Sequence, residues 1–381
     1  MKGAEEYFSE TYETSRANFR NRLKEVQKIW PSARLETDSI GSRDDDNTTD
    51  ILAADAHYHP QTLIVITTAV HGAEGYAGAA LLDFFIDHYT TQLNPNTVGL
   101  RLVHAVNPWG MRHRRRVSEN NVDLNRNFIK DWSRISNDLN NKFEAERKRF
   151  VPSGSITDLK KERRKFYRKV PLRIFSQGMA GLEEAATMGQ YNHPTGIFYG
   201  GETYEEPVDK FLSRMEQWTR GYQKVIHIDI HTGLGPANDL WIQVPDADPR
   251  KEKELHKSLK DSEINDVQKT DIRRIKGEDA EYIKDVFSKN SSSPYIFSCL
   301  LEFGTIGNRK VDQIKALATV VQENQWYWYG AKKGKDSARI KEDFREMFDP
   351  INRGWRQAVI KKGRRAIDLI LEKEGGISLV K

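Results

Sequence analysis

Cysteine is nearly absent from this chain: its 381 residues include one, Cys299. That excludes an intramolecular disulfide framework and any cysteine-built metal cluster. Cys299 lies in the apolar run Tyr295-Ile-Phe-Ser-Cys-Leu-Leu301, where a buried, inert thiol is expected. Long apolar stretches are missing too. No segment approaches the roughly 20 residues that span a bilayer, and Met1–Glu10 holds no apolar signal core. The expectation is a cytoplasmic protein with no membrane partner. Net charge is also scarce. Lys and Arg number 60 against 55 Asp and Glu, leaving +5, which is too little to imply nucleic acid. There is no internal repeat, no low-complexity tract and no clear linker. What is plentiful is charge of both signs, at 30% of residues, with a mean hydropathy of −0.71. A very polar surface therefore surrounds a core drawn from the 38% hydrophobic residues.

Continuous apolar runs predict buried strands at Leu63–Val70, Val98–Val106, Val225–His231, Leu240–Val244 and Ile296–Phe303, with a short one near Thr49–Ala53. Helix-like spacing marks Tyr7–Trp30, Gly75–Tyr89, Val208–Tyr222, Val311–Trp328 and Ile351–Glu372. Such alternation argues for an α/β chain with a mixed or parallel sheet covered on both faces. Residues 137–173 break the rhythm, being dense in Lys, Arg and Glu and interrupted at Pro152-Ser-Gly-Ser155. They read as a pair of exposed charged helices inserted into one domain spanning 1–381, with a basic docking surface as the alternative.

Chemistry collects at the strand ends. His71-Gly-Ala-Glu74 follows the first convincing strand, His231 ends another, and Glu302 lies at the end of a third. Ligands gather at the carboxyl ends of strands in open α/β sheets. Two imidazoles and a carboxylate are the His₂Glu set of a catalytic zinc site, which keeps a position for water. Glu302 is then the separate carboxylate that takes a proton from that water. Asp123 suits the task of holding an imidazole tautomer. Arg126 with Asn125 is either a grip for a substrate carboxylate or a structural salt bridge. One of Arg114, Arg115 and Arg116 is expected to face the site and stabilise an oxyanion. Asp229, two residues before His231 and so on the same strand face, either orients a ligand or is a capped buried aspartate. His57, His59, His88, His104, His113, His227 and His256 have no partner motif and read as structural or surface groups. His193 sits in the turn-rich loop Gly189–Gly196, read as packed more than pocket-lining.

Several of these stretches together resemble a known family. They are Tyr7–Tyr12, His71–Gly78, Asn107-Pro-Trp-Gly110, Arg115–Phe128, Gly189-Gln-Tyr191 with Gly200-Gly201, His231-Thr-Gly-Leu-Gly235 and Glu302-Phe-Gly-Thr305. Their order is similar to that of the M14 zinc carboxypeptidase superfamily, and more closely to its DUF2817 group. The resemblance implies a phosphorylase/hydrolase-like fold, an eight-stranded mixed sheet between helices, with one Zn²⁺. It implies His71, Glu74 and His231 as ligands, Glu302 as base and later acid, and Asp123 as the partner of His71. It matches Asn125 and Arg126 to a pair that holds a substrate's terminal carboxylate, and Arg115, with Arg116 second, to the arginine that polarises the scissile carbonyl. For a tyrosine closing over substrate, Tyr282 and Tyr295 are the guesses.

The function expected on this basis is zinc-dependent hydrolysis of an amide in a carboxylate-bearing substrate, a peptide in a metallocarboxypeptidase. The alternatives are an N-acyl amino acid deacylase of the aspartoacylase or succinylglutamate desuccinylase type, and a non-catalytic binding protein on the same scaffold.

Overall fold

Eight strands form one mixed sheet: β1 (Arg34–Ser39), β2 (Thr48–Ala54), β3 (Thr62–Thr68), β4 (Val98–His104), β5 (Lys224–Gly233), β6 (Leu240–Gln243), β7 (Asn265–Asp266) and β8 (Tyr295–Gly304), in the order β1-β2-β4-β3-β5-β8-β6-β7. The computed structural model describes residues 2–135, 140–168, 185, 188–245, 265–266, 278–288, 294–307 and 309–379. β4, β3, β5 and β8 run parallel at the centre, while β2 and β6 flank them antiparallel. β2, β3 and β4 are buried along their whole length, as strands covered on both faces must be. This is the eight-stranded mixed sheet that the family resemblance implied.

Strand alternation divides the core in two. Ile64, Ile66, Ile226, Ile228 and Ile230 pack under the helices Gly75–Tyr89 and Arg353–Lys373. Leu63, Val65 and Val225 pack under Glu206–Trp218 and Asp279–Phe287. Phe85, fully buried in the first layer, illustrates the scale: truncating such a ring to alanine costs about 3–5 kcal/mol. Among the described residues no helix is long and apolar enough to cross a membrane.

Departures from expectation have local causes. Tyr7–Trp30 is not one helix. A turn at Ala4–Tyr7 is followed by helices Tyr12–Asn21 and Leu23–Gln27, because the Thr11 hydroxyl accepts the Thr14 N–H at 3.2 Å and starts a new helix there. Helix Gly334–Phe348 was not anticipated; it buries only Ile340, Phe344 and Phe348, a stripe too thin to stand out among its charges. The charged segment forms helices at Asn141–Phe150 and 159–168. They are not merely exposed: Phe143, Phe150 and Phe166 pack with Leu317, Val321 and Phe348. Residues 137–139 and 169–173 of that segment, and His256, lie outside the described residues.

Candidate metal centre

The chain goes from β3 outward to β4, then returns to the other side of β3 as β5. Connections therefore diverge between β3 and β5, leaving a crevice at their carboxyl ends. His71 comes three residues after β3 and opens a tight turn, Gly72–Glu74, that leads into the helix Gly75–Tyr89. Only glycine fits at position 72, since a Cβ there would lie 2.0 Å from the Gly110 carbonyl carbon. The Gly72 and Ala73 N–H groups donate to the Arg116 and Arg115 carbonyls at 3.2 and 2.8 Å, clamping the arginine segment beneath the turn.

His231, near the end of β5, is paired in register with Glu302 on β8. His71 Nδ1 and His231 Nδ1 are 3.1 Å apart, with the rings edge to face. Glu74 bridges them: Oε1 lies 2.9 Å from His71 Nδ1 and Oε2 3.1 Å from His231 Nδ1. The Thr232 N–H, at 2.8 Å from Oε2, fixes that carboxylate. Each imidazole gives its other nitrogen to an aspartate. His71 Nε2–H donates to Asp123 Oδ1 at 3.0 Å, and His231 Nε2–H to Asp229. All five side chains are buried.

Zinc bonds of about 2.0–2.1 Å in a tetrahedral site imply ligand atoms about 3.3 Å apart. The observed 2.9–3.1 Å separations, two Nδ1 lone pairs and one carboxylate therefore suit one Zn²⁺. Electrostatics agree. Burial opposes charge on Glu74 and Asp123, but His71 and His231 around the first, and Arg116, Arg126 and His71 around the second, hold both below the usual carboxylate range. Burial also works against a charged His231, yet Asp229 and Glu74 outweigh it and raise its proton affinity well above the ordinary value. A proton thus sits where a metal would bind.

Glu302 borders this cluster. Its Oε1 accepts the Leu234 N–H at 2.7 Å. Burial, then the charge of Glu74, pushes its pKa up to about 8.

The arginines divide differently from expectation. Arg115 points away from the cluster: its Nε meets Glu323 Oε1 at 2.8 Å, its Nη2 reaches Asn121 and Asn324, and its guanidinium lies 3.6 Å from the centre of the Tyr327 ring. It ties its segment to the helix Lys310–Tyr329, with its guanidinium directed to Tyr327 and not to His71. Arg116 is the one that faces inward, with Nε 3.1 Å from Asp123 Oδ2 and Nη1 3.4 Å from Glu74 Oε1. Arg126 is buried beside Asp123. Its Nη1 donates to the Asn125 carbonyl, and its Nε has no partner among the described residues. Asn125 turns its side-chain oxygen to the Asp279 N–H at 3.0 Å.

Neither tyrosine guess survives. Tyr282 is packed inside, with its hydroxyl on Tyr204 at 2.9 Å, and Tyr295 begins β8, at the opposite end from Glu302. His193 pairs with Glu144 at 2.6 Å in a packed loop. Two participants escaped the sequence reading. Thr67 donates to Asp229 at 2.7 Å, and Asp279 crowds Asp229 and His231 within 4.8 Å. Burial and the charge of Asp229 raise the Asp279 carboxyl well above its usual range, so it carries a proton. No motif marks Asp279; it stands at the start of a helix that the sequence did not reveal.

Residues 8–362 match the family described as "Protein of unknown function (DUF2817)". No curated protein matches the chain in sequence. Solved structures similar to it include carboxypeptidase A from Helicoverpa armigera (12% identity, TM-score 0.43, covering 85% of this chain and 71% of that one). A metallo-carboxypeptidase from Burkholderia cenocepacia is also similar (13% identity, TM-score 0.40, 81% and 66%). So is bovine thrombin-activatable fibrinolysis inhibitor (11% identity, TM-score 0.41, 88% and 99%). Likeness at this level says nothing of activity.

Proposed function

We propose that this chain, which belongs to the DUF2817 family, is a zinc-dependent amide hydrolase of substrates bearing a free carboxylate, a metallocarboxypeptidase. One observation carries the reading: two Nδ1 atoms and the Glu74 carboxylate converge beside Glu302, and each imidazole is held from behind by an aspartate. His71, Glu74 and His231 would hold the ion. When bound there, Zn²⁺ supplies Lewis acidity and an acidified water.

The chain's own groups do the rest. Glu302 takes a proton from the attacking water and delivers it to the amide nitrogen as the C–N bond breaks. In the metal-free protein burial and Glu74 raise the pKa of that carboxyl to about 8, which suits the acid half of the transfer; a cation held beside it would lower it toward the base half, and the Leu234 N–H keeps it aimed. Arg116 is placed to stabilise negative charge developing on the carbonyl oxygen, the task first assigned to Arg115. Arg126 is buried beside Asp123 with an unpartnered Nε, and it would meet the substrate carboxylate once its guanidinium turns into the crevice.

The test is a panel of N-blocked dipeptides and N-acyl amino acids, each with zinc and with chelator. Zinc-dependent release of a C-terminal residue is the expected result. Cleavage of N-acyl amino acids alone would reassign the protein as a deacylase. One bound zinc with no hydrolysis of either class would favour a binding protein.

A further inference from the structure

His227 is buried on β5 and takes no part in the chemistry above. Alternate residues of a strand share a face, so His227, Asp229 and His231 line one side of β5. Register places Thr67 of β3 beside Asp229, and Ser298 of β8 beside His227. A continuous chain of hydrogen bonds results. Ser298 Oγ is 2.8 Å from His227 Nδ1, His227 Nε2 is 3.0 Å from Thr67 Oγ1, and Thr67 Oγ1 is 2.7 Å from Asp229 Oδ1. The other Asp229 oxygen holds His231 Nε2.

The direction of every bond follows from the last acceptor. A carboxylate only accepts, so the single Thr67 proton goes to Asp229. The Thr67 oxygen must then accept, which requires the His227 proton on Nε2. Burial lowers the proton affinity of His227, so Nδ1 is bare and accepts from the Ser298 hydroxyl. At the far end His231 gives its Nε2–H to Asp229, so Nδ1, which faces His71 and Glu74, is the nitrogen left to bind an ion in place of a proton.

We propose that His227 is a positioning residue for the metal ligand His231. Through Thr67 and Asp229 it holds the tautomer and ring orientation that present Nδ1 to the ion. The inference rests on the zinc reading above. It gives a purpose to a buried histidine otherwise surrounded by core, with Phe211 6.3 Å away.

Zinc affinity, measured on the full chain by chelator competition, tests it. His227→Leu should weaken zinc about tenfold, the lower end of what groups behind a metal ligand are worth. His227→Gln keeps an N–H close to the Nε2 position and should restore most of that loss. Unfolding of the metal-free proteins is followed in parallel. Unchanged affinity in His227→Leu, whatever its metal-free stability, overturns the proposal; so does equal weakening by Leu and Gln. His227→Phe, which keeps a buried ring but has no N–H for the Thr67 oxygen, is the second variant and should also weaken zinc. Should His227→Leu not fold, unchanged affinity in His227→Phe is the refuting result. The parent protein's stoichiometry is read in the same titration. Absence of zinc there defeats the metal assignment itself, a different outcome from a parent that binds zinc and variants that bind it equally well.

Discussion

Arg115→Ala separates structure from catalysis in this molecule. Arg115 is 2% exposed and Glu323 6%, so the substitution strands a buried carboxylate. Breaking one partner of such a pair costs about 3–5 kcal/mol. At ~2.1 cal/mol/K per residue, the unfolding entropy of 381 residues is about 0.8 kcal/mol/K, which converts the loss into a Tm about 4–6 °C lower. The double variant Arg115→Ala/Glu323→Gln removes the stranded charge and should recover part of the loss. Differential scanning calorimetry reads both. Zinc stoichiometry and the activity of the folded protein should stay near those of the parent, because the side chain points to Tyr327 and not to His71. Arg116→Ala should differ in activity and not in stability: it strands the buried Asp123 and Glu74 carboxylates and so also lowers Tm, but turnover of the folded protein falls about 10²–10³-fold through loss of an oxyanion donor. An Arg115→Ala protein with unaltered Tm and a catalytic loss of that size would refute the reasoning and return the role to Arg115.

Three further outcomes are expected. Glu302→Gln should retain one zinc but lose about 10²–10⁴-fold in turnover, and hydrolysis at the parent rate would remove the base assignment. Zinc binding near pH 7 should release a proton from His231, measured by titration calorimetry in buffers of different ionisation enthalpy. The sign is set by the raised proton affinity of His231: in the metal-free protein its stabilising contribution is complete below the unfolded histidine pKa and is lost as pH rises through the elevated folded value. Proton release indistinguishable from zero would contradict it. Finally, zinc at about a hundred times its Kd should add about 2.7 kcal/mol, or about 3 °C in Tm, and chelator should reverse the gain. A Tm indifferent to both would speak against a site formed only in the folded state.

Much of this arrangement was legible in the amino-acid order. Near-continuous apolar runs stop abruptly, so the polar residues that follow them stand out, and His71, Glu74, His231 and Glu302 all do so at the ends of β3, β5 and β8. Helices with a broad apolar face, such as Gly75–Tyr89, were equally plain, whereas Gly334–Phe348 hides three buried residues among many charges. Asp279 and Thr67 carried no signal, because an acid beside a helix start and a threonine in a strand are common everywhere.

Local order thus determined which elements form and which residues stand at their ends, since strand alternation and helical spacing are properties of near neighbours. Tertiary structure decided which of two adjacent arginines faces the cluster. That choice depends on the backbone bonds from Gly72 and Ala73 to Arg116 and Arg115, a contact across some forty residues that no local pattern encodes. It also decided that Asp229 backs His231 and that His227 stands behind both, because only the register of β3, β5 and β8 brings Thr67 and Ser298 alongside them. Metal-ligand chemistry is carried by residue type, but its orientation comes from partners that the fold assembles across strands.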